Sequence, residues 1–227
     1  MNAADYRTGW EHPLTRRSWA KHMAMNVVGL LCWPVAWIGQ LYALVVFLSP
    51  GYALLLGPSL CYTLYRTVVQ LSYFSTAFRM RCILREYPWQ VSYKVPRGVD
   101  EHPDAEDDGI WIELPDPTDP SRHGVPLTFV KHHRSYWWLR HIGGPRTKPT
   151  RKAKLEPLWF AGDPRFLGVV AVSTKDGLAP RRLHFLYRPS AFAGKAAHQQ
   201  WDNARPAELE RARRAGARFL DVGPASH

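Results

Sequence analysis

The sequence predicts an α+β membrane protein: an N-terminal transmembrane helical hairpin, then a small β-rich cytoplasmic domain of sandwich or barrel type, ending in a C-terminal helix. Three observations predict it. Residues 23–65 are 43 positions without Asp, Glu, Lys or Arg, and residues 67–78 add twelve more. Short apolar stretches, most of them alternating with polar residues, recur between residues 91 and 187. From Pro206 the chain turns charged and alanine-rich. A mean hydropathy of −0.30 averages these unlike parts and hides the first. The 10 Trp, 10 Tyr and 9 Phe exclude a disordered chain.

A spanning helix needs ~20 apolar residues to cross ~30 Å of hydrocarbon. The neutral stretch is long enough for two, placed at 26–48 and 53–75 and divided by the turn signal Ser49-Pro50-Gly51. The chain therefore divides into a cytoplasmic segment 1–25, a membrane hairpin 26–76 and a cytoplasmic domain 77–227. A cleaved secretory signal fits poorly, because its apolar region would be about twice too long and no small-x-small site follows Leu48. The closer rival is one span followed by a buried core helix. Gly57-Pro58 favours that rival, since an internal proline deletes a helical donor, although lipid-embedded helices tolerate such breaks. Arg7, Arg16, Arg17 and Lys21 precede the first span, Arg79, Arg81 and Arg85 follow the second, and the tip carries no cation. The positive-inside rule then predicts a multi-pass plasma-membrane protein with both termini in the cytoplasm.

Arg66 breaks the neutral stretch. In a hairpin turning at residue 50 it lies level with about residue 34, where Pro34 leaves the Leu30 carbonyl without its helical donor and Trp33 and Trp37 are adjacent. It either bonds that carbonyl, stacks on an indole, or extends its stem toward the cytoplasmic headgroups. Ser59, Thr63 and Thr67 recur every four residues, a small-residue stripe suited to close packing within the hairpin or a homo-oligomer. Cys32, Cys61 and Cys82 have no metal or disulfide spacing and read as inert thiols.

The second helix is expected to stop at Tyr87-Pro88. Strand alternation follows in Val91/Tyr93/Val95, Ile110/Ile112/Leu114, Val125/Leu127/Phe129 and Leu183/Phe185/Tyr187, with a continuous apolar run at 167–172. Lys175-Asp176-Gly177 reads as a turn. Residues 190–201 read as a short helix, and Pro206 opens the final one, which Gly216 stops.

Charge falls in blocks. Nine acids and no base lie between Arg97 and Arg122; nine bases and no acid lie between Asp119 and Glu156. The basic block interleaves aromatics, and Lys131, Arg134, Trp137, Trp138 and Arg140 are the candidate binding surface. Below an anionic leaflet each clustered cation gains about 1 kcal/mol near the headgroups, and the indoles would add interfacial anchoring. Single-stranded nucleic acid is the weaker reading of the same pattern. Pairing of the two blocks with each other is the bland one.

No phosphate-binding glycine loop, nucleophile elbow or metal-ligand spacing occurs, so the sequence predicts no cofactor and no metal. An enzyme reading would start from Asp163, His184 and Glu113, polar residues near strand ends. The segments Arg-Glu-Tyr-Pro-Trp-Gln (85–90) and Leu-Trp-Phe-Ala-Gly-Asp-Pro-Arg-Phe (158–166) resemble those of uncharacterised two-span integral membrane proteins of actinobacteria. That resemblance implies architecture and location only. The sequence as a whole points to an integral membrane protein presenting a binding or scaffold domain at the inner leaflet, with anionic phospholipid headgroups or a partner protein as its ligand. A membrane enzyme and an accessory subunit of a transporter or envelope complex are the alternatives.

Overall fold

The computed structural model describes residues 6–47, 50–92, 98–99, 111–115, 124–130, 135–142, 153–174, 176, 179–188 and 204–218. They form two compact units: Trp19–Phe78, and Met1–Ser18 together with Arg79–His227.

Two helices of 34 residues each, α1 (Pro13–Val46) and α2 (Ala53–Glu86), are joined through a 3-10 turn at Pro50–Tyr52. At 1.5 Å per residue each is ~51 Å long, well beyond a ~30 Å hydrocarbon layer. Each therefore overruns the span expected for it. Pro13 explains the early start of α1: at a first helical position its missing N–H costs nothing, and the Thr15 and Arg16 amides donate to the His12 carbonyl at 3.0 and 3.4 Å. α2 ends one residue before Tyr87-Pro88, where the sequence places its stop. Both helices continue through their internal prolines, Pro34 and Pro58. Among the described residues one helix, α1, is long and apolar enough to cross a membrane, with mean hydropathy 1.6 across its most apolar 18 residues.

Within the unit Trp19–Phe78 the usual distribution of polarity is inverted. Asn26 is 0% exposed and Gln70 3%, whereas Val45 is 81% exposed and Leu54 87%. The buried amides serve backbone carbonyls of the other helix: Gln70 Nε2 donates to Asn26 O at 3.0 Å, and Asn26 Nδ2 to Tyr73 O at 3.3 Å. Trp19 Nε1 donates to Ala77 O at 2.8 Å. The stripe Ser59/Thr63/Thr67 satisfies itself along α2, with Thr63 Oγ1 donating to Ser59 O at 3.1 Å and Thr67 Oγ1 to Thr63 O at 2.9 Å. Arg66 Cζ lies 5.0 Å from the Trp33 ring centroid. Trp33, one of the partners considered from the sequence, is thus in contact with it.

The other unit is built on one curled antiparallel sheet, a half-barrel rather than two stacked layers. Its seven strands are β1 (Gln90–Ser92), β2 (Gly98–Val99), β3 (Trp111–Leu114), β4 (Val125–Phe129), β5 (Leu158–Asp163), β6 (Leu167–Ser173) and β7 (Pro180–Tyr187), in the order β1-β5-β6-β7-β4-β3-β2. The edge strands have three and two residues.

Pairing register assigns the faces, because directly opposed residues point to the same side. Phe160, Val170 and His184 are opposed in turn. They share a face with Leu158, Val172, Leu186, Phe129, Leu127 and Ile112, and that face packs against Trp138 and Ile142 of helix α3 (Ser135–Ile142) and Leu155. The opposite face carries Trp159, Phe185 and Tyr187. The chain's own helix ends cover it: the Trp159 ring lies 5.9 Å from Trp89 and 6.1 Å from His12, Trp89 Nε1 donates to Thr15 Oγ1 at 2.9 Å, and Ser18 Oγ donates to Pro180 O at 2.7 Å. Cover on both faces explains why β5 and β6 are buried at every residue and why 167–172 reads as an unbroken apolar run. The two segments at 85–90 and 158–166 thus meet: Trp89 touches Trp159, and Gln90 is opposed to Phe160.

Gly162 and Gly168 are directly opposed on β5 and β6. Gly162 has φ +148°, and a Cβ there would lie 2.4 Å from the Leu167 carbonyl oxygen, so no side chain fits.

Helix α4 (Pro206–Arg214) opens on its proline, as the sequence predicts, and closes at Gly216 with φ +103°. It is held at three points. Arg165 Nη2 meets Glu208 Oε2 at 2.9 Å, Arg214 Nε meets Glu86 Oε2 at 3.1 Å, and Arg211 Cζ lies 5.2 Å from the Tyr87 ring centroid. Tyr93, Val95, Ile110, the expected helix at 190–201, Lys175, Gly177 and most of the two charge blocks fall outside the described residues.

Candidate functional site

The candidate site is the exposed side of α3 with the neighbouring part of β7. A short helix buries one stripe, and here Ser135, Trp138 and Ile142 fill it at spacings of three and four. Trp138 is 2% exposed, edge-on to Trp137 at 5.4 Å and 5.9 Å from the Phe129 ring. It is therefore a core residue, which corrects its expected place on the binding surface. The charge pattern of 131–141 hid a helix whose period puts the second indole inside. Lys131 and Arg134 lie outside the described residues.

What remains outward is a layered set of cations and rings. Arg140 is exposed, with Cζ 5.3 Å from the centroid of the exposed Tyr136 ring one turn earlier. Trp137, partly buried, stacks on His141 at 4.1 Å with 25° between the planes. Imidazole Nδ1 lies 2.7 Å from Trp137 O; a carbonyl only accepts, so Nδ1 carries the proton. Arg182 Cζ lies 4.3 Å from the Trp137 ring centroid.

Arg182 comes from another element, and its placement has a visible cause. Between the pairs Val170/His184 and Val172/Arg181, β7 spends one residue more than β6. This bulge bends the strand and re-aims a side chain. Arg182 sits in it at φ +54°, a left-handed conformation that costs a non-glycine residue about 1–2 kcal/mol. The sequence carries no sign of that strain, and Arg182 was missed for that reason. The guanidinium over an indole face returns about 0.5–1 kcal/mol at an exposed position. The contact offsets part of what the backbone loses.

The three residues named for an enzyme do not converge. His184 is buried on the α3 side of the sheet, 5.2 Å from the Phe129 ring and 6.3 Å from Trp138. Asp163 is opposed through Leu167 to Tyr187, an odd number of residues from His184, and so lies on the other face. There Arg165 holds it with two hydrogen bonds, Nε to Oδ1 at 3.0 Å and Nη2 to Oδ2 at 2.6 Å. Glu113 lies on β3 opposite Pro126. Among the described residues no group of three or more His, Cys, Asp or Glu side chains is arranged to hold a metal ion.

The Arg165 cluster was also missed, because its third member, Glu208, is 43 residues away in the sequence. Hydrogen bonds donated to the Asp163 carboxylate raise the basicity of Arg165 above the ordinary arginine value. Glu208 is held down to about 2, chiefly by the Arg205 side chain and further by Arg165. Burial, with the Asp163 charge adding, raises the Tyr87 phenol above its usual value. Each of these groups is fixed in one protonation state around neutrality, which suits a clamp for α4 better than proton transfer.

Comparison with known families, curated proteins and solved structures finds no match to this chain.

Proposed function

We propose that this chain is an integral membrane protein whose α1 and α2 cross the plasma membrane as a helical hairpin. The sheet unit then works on the cytoplasmic side as a binding domain, with the cation–aromatic face of α3 and Arg182 contacting anionic phospholipid headgroups. The observation that carries the reading is the inverted polarity of residues 19–78: amides inside, Val45, Leu54 and their like outside. Water penalises that arrangement, at roughly 25 cal/mol per Å² of apolar surface left exposed. Hydrocarbon rewards it, because polar groups must then find partners within the protein. The cations flanking the neutral stretch support the orientation. The exposed Tyr136, Arg140 and Arg182 support the lipid contact, since amphipathic rings and cations both favour the headgroup layer.

Two measurements test it on the full-length protein. In a background lacking Cys32, Cys61 and Cys82, a cysteine at Tyr52 should react with an impermeant maleimide on intact spheroplasts, and one at Glu210 only after lysis. Equal labelling of both sites on intact cells, or release of the protein by alkaline carbonate, overturns the spanning hairpin. In nanodiscs, hydrogen exchange of residues 135–142 should slow when phosphatidylglycerol is added to phosphatidylcholine, and Arg140→Gln/Arg182→Gln should abolish the difference. Identical exchange in both lipids overturns the headgroup contact.

A further inference from the structure

We propose that the cavity bounded by α2, β4, β7 and the turn after α4 is a binding site for a phosphate monoester, gripped between Arg79 and Arg218. The cavity measures about 250 Å³ and is lined by Arg79, Val130, Phe185, Tyr187 and Arg218. It lies on the face of the sheet opposite α3, so it is separate from the surface described above.

The chain assembles this site from distant parts. Arg79 follows residues 67–78, the last uncharged stretch of α2. Arg218 is delivered by the close of α4: Gly216, at φ +103°, reverses the backbone, and the Gly216 and Ala217 amides donate to Arg213 O at 2.9 Å and Ala212 O at 3.0 Å. Phe185 and Tyr187 stack at 5.8 Å with 9° between their planes and form an aromatic wall.

Two guanidiniums line one cavity, one from α2 and one from the turn after α4. Guanidinium forks match phosphate oxygens two at a time. Two such forks call for more than the two free oxygens of a diester. A monoester offers three, with a charge of about −1.5 to −2 at neutral pH. The volume is several times the ~30 Å³ share of one water, so the phosphoryl group and part of its alcohol fit, the alcohol lying on Val130 and the aromatic wall.

The same chemistry is found in a phosphatidate-type lipid and in a soluble phosphate. The lipid form rests on the membrane reading above, under which Arg79 stands at headgroup level; the anion site itself does not.

The test is calorimetric titration of the full-length protein in dodecyl maltoside with three probes: inorganic phosphate, dihexanoyl phosphatidic acid and dihexanoyl phosphatidylcholine. The phosphatidic acid should bind saturably and the phosphatidylcholine at least tenfold more weakly. Arg218→Gln, at an exposed position, should weaken binding at least tenfold, as should Arg79→Gln, with partial recovery in Arg79→Lys. Arg17→Gln should change nothing. Phosphate and phosphatidic acid binding alike would support the site with a soluble ligand; phosphatidic acid binding tenfold tighter would support the lipid. Wild-type affinity in Arg218→Gln, or equal binding of phosphatidylcholine, overturns the proposal. Carbonate extraction of the same variants keeps the two readings apart. A protein released by carbonate that still binds phosphate through Arg218 retains the site and loses the membrane; a protein that stays embedded and ignores Arg218 does the reverse.

Discussion

Arg165 grips Asp163 with two parallel hydrogen bonds, Nε to Oδ1 at 3.0 Å and Nη2 to Oδ2 at 2.6 Å, both side chains being more than nine-tenths buried. Removing one partner of such a pair strands the other charge, at a cost of about 3–5 kcal/mol. Arg165→Met should therefore lower the melting temperature sharply and loosen α4, whose Glu208 loses its contact as well. Arg165→Met/Asp163→Asn, which strands no charge, should recover much of that loss. A double variant no more stable than the single one would show that the geometry, not the charge, matters.

Stability should form a plateau around neutral pH with acid and alkaline shoulders of known origin. Burial lowers the basicity of His12, so the unfolded chain binds its proton first and stability falls as pH drops below about 6.5. Glu208, held to about 2 when folded, adds stability above its ordinary value near 4.5 that is lost as pH falls toward 2. Tyr87 works in the other direction: the raised folded value means that stability declines as pH rises past ~10, where the unfolded phenol ionises. Melting temperatures across pH 3–11 check this, with His12→Gln expected to flatten the first acid step and Tyr87→Phe the alkaline one.

The elements that could be read in the sequence were those in which one local pattern decides the outcome. Tyr87-Pro88 stops α2, Pro206 and Gly216 bracket α4, and alternation at 125–129 and 183–187 marks two strands, because a single turn or face sets each. Residues 167–172 announced a buried strand by having no polar side at all. The cover on the second face of the sheet was illegible, since the helix ends that supply it lie seventy or more residues before the strands they meet. Helix α3 was hidden by its charge. Lysines and arginines draw attention to a surface, while the pair Trp138 and Ile142, four apart, marks the stripe that faces inward. Arg182 and the Arg79–Arg218 cavity depend on a bulge and on a chain reversal, and neither has a residue signature of its own.

Gln70 rests on Gly29, which gives the helical unit a testable nonadditivity. A Cβ at Gly29 would lie 2.7 Å from the Gln70 amide carbon, and that amide donates to Asn26 O at 3.0 Å. Gly29→Ala must shift the amide and should weaken its hydrogen bond, a contact worth about 0.6 kcal/mol on average and up to ~1.7 between membrane helices. Gln70→Ala removes the same bond and opens the space. The double variant should therefore cost clearly less than the two single losses added together. Unfolding by SDS titration in mixed micelles measures the cycle; strict additivity would place the Gln70 side chain elsewhere.

Arg182 separates stability from binding in a single substitution. Glycine adopts φ +54° without the steric penalty that arginine meets there, so Arg182→Gly relieves about 1–2 kcal/mol of backbone strain. It forfeits a cation–π contact of about 0.5–1 kcal/mol and some conformational entropy of the unfolded chain, worth a further ~0.4–1 kcal/mol. The sum is close to zero, and the melting temperature should barely move. Exchange protection of residues 135–142 by phosphatidylglycerol should nevertheless fall, because the cation above Trp137 is gone. Arg182→Ala lacks the guanidinium but keeps the strain, and should lose both stability and protection. If Arg182→Gly instead melts several degrees lower with protection intact, the bulge serves the fold and the cation is incidental to lipid contact.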